Sequence, residues 1–224
     1  MCLLLNIPFP FSPDIAVIYF MIANLLSLYL MTRLLHSEGR SIWDVIDFQR
    51  DRLGKDLLWG LLWIFVLFIP FAAAVNGVAF LIFGTDYLNQ FEVIFTGDLA
   101  NNPLTTPVWL RWIGAIVALF FPFINAPIEE IMYRGYAQPK FAEGFGKPWA
   151  GIVIPSIGFG LQHCMLAASW QGALVYIGAF FFWGLGSALI FHYHQRLFPI
   201  IIAHFVVNLA FAAMPLVLLM LDVY

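Results

Sequence analysis

Three short motifs set charged or hydrogen-bonding side chains at helical spacing in an otherwise apolar chain. The first lies in Ala126-Pro-Ile-Glu-Glu-Ile-Met-Tyr-Arg-Gly-Tyr136, where Glu130 and Arg134 are i and i+4 and Glu129 comes one residue before. The second is Phe159-Gly-Leu-Gln-His163 and the third His204-Phe-Val-Val-Asn208. A carboxylate, two imidazoles and a carboxamide suit hydrolysis of a carbonyl. Glu129 can take a proton from water. His163 can hold that water or share the proton, and His204 and Asn208 can donate hydrogen bonds to the oxyanion that forms. These motifs place no serine or cysteine nucleophile, so direct attack by water fits better than an acyl-enzyme. A metal version uses the same groups: Glu129, His163 and His204 could bind Zn²⁺ and leave one position open to water. The H-E-x-x-H spacing is missing, and Asn208 makes better sense as an oxyanion donor than as a zinc ligand. The reading therefore leans to no cofactor, with Zn²⁺ as the alternative.

Helical geometry divides the roles within the first motif. With its acid N-terminal, the Glu130–Arg134 pair has the favourable orientation for an ion pair. Glu129 points about 100° away around the helix, so Glu130 and Arg134 are read as structural and Glu129 as the free carboxylate. An ionised side chain at mid-bilayer costs about 3 kcal/mol or more, so all three charges need a reason to be there. The alternative puts them at a membrane end facing solvent, just before Gln138, Pro139 and Lys140. Taken alone, His163 reads as a helix-end histidine bonded to a backbone carbonyl, and His204 with Asn208 equally as a helix–helix hydrogen bond. Taken together, costly polar insertions on three separate segments are most economically explained by convergence on one wet cavity.

The segments that must position these groups are membrane spans. The chain has 224 residues, 62% hydrophobic and 10% charged, with a mean hydropathy of +0.90. A soluble core would be filled long before that much apolar surface was used. No Asp, Glu, Lys or Arg occurs between Lys147 and Arg196, or between Arg196 and Asp222. Since a span needs about 20 apolar residues, these gaps hold roughly two spans and one. Six apolar segments are expected: 15–32, 57–84, 107–138, 149–167, 171–191 and 197–221. The third crosses Pro122 and Pro127 and reads either as one kinked helix or as two. The fold class is all-α, a polytopic membrane protein of about six to eight transmembrane helices around an intramembrane cavity. Gly151, Gly158 and Gly160 would allow close helix approach there.

Loop 33–56 carries Arg33, Arg40, Arg50, Arg52 and Lys55, half of the 10 basic residues. Loop 85–106 carries Asp86, Glu92 and Asp98 with no Lys or Arg. The first loop is therefore expected in the cytoplasm and the second outside. If the third segment is a single span, Lys140, Lys147 and Arg196 return to the cytoplasmic side and both termini lie outside. Ile42, Val45, Ile46 and Phe48 have helical spacing and could lie on the membrane surface. His36 reads as a loop histidine and His192 and His194 as interfacial. Cys2 and Cys164 are too few for a disulfide framework or zinc ribbon, and Cys164 reads as a small buried residue. No basic cluster with interleaved aromatics suggests nucleic acid. The N-terminus lacks a basic n-region and is broken by Pro8, Pro10 and Pro13, so no cleavable signal peptide is expected. The ending Leu-Asp-Val-Tyr has no prenylation box.

In order and spacing, Glu129-Glu-Ile-Met-Tyr-Arg134, Phe159-Gly-Leu-Gln-His163 and His204-Phe-Val-Val-Asn208 resemble E-E-x-x-x-R, F-x-x-x-H and H-x-x-x-N of the CPBP intramembrane proteases. That family includes the type II CAAX prenyl endopeptidases and the Abi-like bacteriocin-processing and immunity proteins. Ala126-Pro127, Gly135, Ser156 and Pro199 fit as well, while Tyr133 stands where phenylalanine is usual, a mild change on a packing position. The resemblance covers about residues 107–220 of a single membrane domain, 1–224. It implies Glu129 as catalytic glutamate, His163 as its water-activating partner, and His204 with Asn208 as the oxyanion-stabilising pair. It also implies Glu130, Arg134 and Phe159 as supporting residues. The expected partners are membrane lipid and a membrane-associated or lipidated peptide or protein, CAAX-type among them, with no nucleic acid and no assigned oligomeric state. The compact length suggests a prokaryotic plasma membrane. Two rivals use the same residues: a small proton-coupled transporter, for which six spans without a repeat are thin, and a non-catalytic immunity or membrane-binding protein.

Overall fold

Lipid offers the backbone no hydrogen-bond partner, so a spanning chain without a closed barrel must satisfy its peptide groups within helices. All regular structure among the described residues is helical. The computed structural model describes residues 13–97 and 106–221. The readings made on Cys2, the N-terminal prolines 8 and 10, Asp98 and residues 222–224 of the C-terminus lie outside the described residues.

The helices are α1 (Pro13–Ser37), α2 (Ile42–Ile46), α3 (Leu53–Phe83), α4 (Phe91–Thr96), α5 (Val108–Glu130), α6 (Gln138–Phe145), α7 (Pro148–His163), α8 (Trp170–His194) and α9 (Phe198–Met220). Five stretches are long and apolar enough to cross a membrane: Ala16–Ser37, Ile42–Phe95, Val108–Phe145, Pro148–Leu166 and Trp170–His194. A shorter apolar stretch, Phe198–Met214, lies in α9. The chain is an all-α, polytopic membrane protein. α5 packs against α1 and α9, α8 against α7 and α3, and α9 also reaches α3.

The third segment is one continuous helical run. α5 passes through Pro122 and Pro127, then widens into a π-helical turn at Ile131–Ala137 before narrowing into α6. It ends at Phe145, beyond the expected end at Gln138. Such π-turns re-aim side chains and are frequent at functional sites. This one begins directly after Glu129 and Glu130.

Loop 33–56 is more structured than its spacing alone suggests. Ser41 caps α2 in a capping box with Asp44. Val45 and Ile46 are buried with Leu35, Ile128, Ile131 and Leu197, while Trp43 and Phe48 face outward. Val45 leans directly on Gly135, where any Cβ would collide with its methyl group. Helix α2 is therefore docked on the π-turn by half of its apolar residues. Ion pairs close the same end of the bundle. Lys140 meets Glu38 at 3.0 Å, and Arg196 meets Asp47 at 2.8 Å and Asp56 at 2.5 Å. The hydrogen bonds from Lys140 and Tyr136 hold the Glu38 carboxyl below its ordinary pKa. Lys140, Arg196 and loop 33–56 thus share one end, as the distribution of basic residues requires.

Two of the three glycines singled out in α7 bring helices together. A Cβ on Gly160 would stand 2.6 Å from the Ile177 carbonyl oxygen of α8, and one on Gly151 would collide with the Gln138 carbonyl. At Gly158 a Cβ would meet only Tyr133 in ordinary contact at 3.5 Å, so Gly158 is not a point of helix approach. Overpacking of this kind costs roughly 1–3 kcal/mol. Gly160→Ala should therefore lower the thermal midpoint in detergent, and an unchanged midpoint would mean that α7 and α8 have room to separate.

Candidate active site

Helix α5, the π-turn, α7 and α9 each contribute to one buried polar cluster. Glu129, Glu130 and Arg134 are 2%, 0% and 1% exposed, which removes the alternative of a solvent-facing membrane end. Arg134 Nη1 lies 3.2 Å from each oxygen of Glu130, so the structural ion pair is present. Its Nη2 donates to the Gly184 carbonyl of α8 at 3.2 Å, and its guanidinium carbon lies 4.5 Å from the centre of the Phe159 ring. Phe159, itself fully buried, is thus a supporting wall for the cation.

Glu129 is held differently on its two oxygens. Oε1 accepts from the Asn125 amide at 2.7 Å and from the Gln162 amide at 2.6 Å. Oε2 is buried with no hydrogen-bond partner among the described residues and stands 3.7 Å from His204 Nε2. That separation is too long for a hydrogen bond but leaves the imidazole and the bare oxygen facing each other. His204 Nδ1 lies 2.8 Å from Glu130 Oε1, so His204 touches the structural acid through one ring nitrogen and faces the free acid with the other.

His163 and Asn208 join the cluster less directly. His163 donates from Nδ1 to the Phe159 carbonyl at 2.7 Å, the helix-end bond expected of it in isolation. That bond directs Nε2 away from its own helix. The ring stacks on Phe180, with centroids 3.6 Å apart, and makes no direct hydrogen bond to Glu129. Phe159 lies between the two imidazoles, 4.6 Å from His163 and 6.1 Å from His204 by ring centroids. Asn208 donates to Asn125 Oδ1 at 2.6 Å. It therefore acts on Glu129 through Asn125 and keeps a second amide hydrogen for another acceptor.

Among the described residues, no group of three or more His, Cys, Asp or Glu is arranged to hold a metal ion. One oxygen of Glu129 is already occupied by two amides, and His163 bonds neither carboxylate. The Glu129, His163, His204 set does not fit as a ligand shell in this arrangement.

The three motifs and their common burial can be compared with known proteins. The family model described as type II CAAX prenyl endopeptidase Rce1-like matches residues 109–210. The chain carries an Rce1-like domain of the CPBP family. No curated protein and no solved structure matches it. The Rce1-like domain spans α5 to α9 and so takes in all three motifs. A domain of this kind supports an intramembrane endopeptidase in general.

Within the Rce1-like domain, sequence reasoning missed Asn125 and Gln162, the two residues that grip Glu129. Asn125 is four residues before Glu129 on the same helix face, a signal of the kind used for Glu130 and Arg134. Gln162 adjoins His163 and gives no such sign, because its contact crosses from α7 to α5. Tyr133 was expected only to pack. Its hydroxyl donates to Gln162 Oε1 at 2.8 Å, extending the grip on Glu129 by one more residue. Asn24 of α1 also reaches Asn125, at 3.3 Å, so a helix outside the Rce1-like domain touches the network.

Proposed function

We propose that this chain is an intramembrane endopeptidase that hydrolyses peptide bonds of membrane-associated substrates without a metal. Prenylated CAAX-type proteins are the substrate class implied by the family. The observation that carries the proposal is the asymmetric Glu129 carboxylate, one oxygen pinned by two amides and the other bare beside His204.

In this reading Glu129 Oε2 takes a proton from water, and the resulting hydroxide attacks the scissile carbonyl carbon. The carbonyl electron pair moves onto oxygen. The second amide hydrogen of Asn208 and an N–H at His204 Nε2 stabilise that oxyanion. With Nδ1 donating to the Glu130 carboxylate, His204 presents this N–H when both ring nitrogens carry protons. When the intermediate collapses, the C–N bond breaks and Glu129 returns its proton to the leaving amine. His163, with Nδ1 fixed on Phe159, contributes Nε2 to orienting the water. The basic end formed by loop 33–56, Lys140 and Arg196 is assigned to the cytoplasm.

The test is cleavage of a membrane-tethered or prenylated peptide by purified protein in detergent or vesicles. Wild type should cut. His163→Ala should lose most of that rate while remaining folded, and prolonged treatment with a zinc chelator should leave wild type unchanged. Activity lost to the chelator and restored by Zn²⁺ would replace the metal-free mechanism. Solute flux without proteolysis, abolished by the same substitution, would replace the endopeptidase reading by the transporter.

A further inference from the structure

Away from the polar cluster, α1, α2, α5 and α9 enclose a groove of about 940 Å³. That lies near the upper end of ordinary ligand pockets, roughly 300–1,000 Å³. Its walls are apolar, built from Leu28, Ile42, Phe123, Ile124, Ile128 and Phe198. Its rim is cationic: Arg33 and His36 come from the last turns of α1, and Arg40 from the turn before α2. No Asp or Glu lines it.

The nearby acids are engaged elsewhere. Glu38 takes Lys140 at 3.0 Å and the Tyr136 hydroxyl at 2.9 Å. Asp44 is used by the cap of α2, accepting from the backbone and hydroxyl of Ser41. Arg33 and Arg40 are exposed and form no ion pair among the described residues. Trp43, 72% exposed on the same rim, is the amphipathic residue expected at headgroup depth.

We infer that this groove is a binding site for an anionic phospholipid. One acyl chain fills the apolar trough between α1, α5 and α9, and the headgroup phosphate sits between Arg33 and Arg40. Apolar walls alone would accept any lipid. Two exposed arginines that are locked in no ion pair, Arg40 feeling Glu38 and Asp44 only at longer range, favour a negative headgroup, and they do so at the end of the bundle where the basic residues gather. The inference is independent of the proteolytic mechanism, because no groove-lining residue belongs to the Glu129 cluster. A neutral lipid or a second copy of the chain are the other occupants that the test separates.

The experiment uses the full chain in detergent, titrated with phosphatidylglycerol or phosphatidylcholine and followed by native mass spectrometry. Wild type should retain one phosphatidylglycerol per chain in preference to phosphatidylcholine. The double substitution Arg33→Gln with Arg40→Gln should reduce that preference by about twenty-five-fold, roughly fivefold for each arginine. Both positions are exposed, so the fold should be untouched. Thr32→Trp, which fills the groove from an exposed position, should weaken both lipids alike. Equal binding of the two lipids by wild type, preference retained in the double variant, or a dimer in place of a lipid adduct would each overturn the assignment.

Discussion

Glu129→Gln should cut the peptide-cleavage rate by about 10²–10⁴-fold, the usual worth of a general base, with little change in thermal midpoint. The substitution keeps the shape of the side chain. A glutamine carbonyl can stand where Oε1 now accepts from Asn125 and Gln162, so the packing around α5 and α7 survives. What is lost is the bare oxygen that faces His204 Nε2 at 3.7 Å, because an amide nitrogen cannot take a proton from water. The result should appear in kcat more than in KM, since Glu129 moves protons in the reacting steps and does not hold the substrate chain in the ground state. Glu129→Ala should be equally inactive but less stable, because it strands the two buried amides without an acceptor. A glutamine variant that cleaves at the wild-type rate would remove Glu129 from the chemistry and leave it as one more buried polar residue.

Arg134→Met should be the most destabilising change at the site. Arg134 neutralises Glu130 inside the bundle, donates to Gly184 of α8 and covers the face of Phe159. Methionine keeps much of the volume but leaves the Glu130 carboxylate buried without its cation. Breaking one side of a buried pair costs about 3–5 kcal/mol, so the thermal midpoint in detergent should fall by on the order of 10 °C. Replacing both partners, Glu130→Gln with Arg134→Met, should recover part of that loss because no uncompensated charge remains. Activity should not return with stability, since His204 would no longer rest its Nδ1 on a carboxylate. Arg134→Lys should rescue poorly, because a lysine cannot bridge Glu130, Gly184 and the Phe159 face together. A single methionine variant as stable as wild type would show that the pair does not support the fold.

The amino-acid order by itself fixed the class of the protein and the contacts confined to one helix. Hydropathy located every long apolar helix but not the short α4, because burying about 20 consecutive apolar residues in lipid leaves the backbone little choice but α-helix. The i, i+4 spacing fixed the Glu130–Arg134 pair, because the rise and turn of a single helix settle which of its residues are neighbours. The order of the three motifs pointed to the Rce1-like domain that residues 109–210 match. Only the tertiary structure decided how the helices turn towards one another. The π-turn after Glu130, the docking of α2 on Gly135, the grip of Gln162 on Glu129 and the use of Asn208 on Asn125 all depend on the depth and rotation of one helix against the next. Those are set by the fit of side chains that lie far apart in the chain, and no local spacing encodes them.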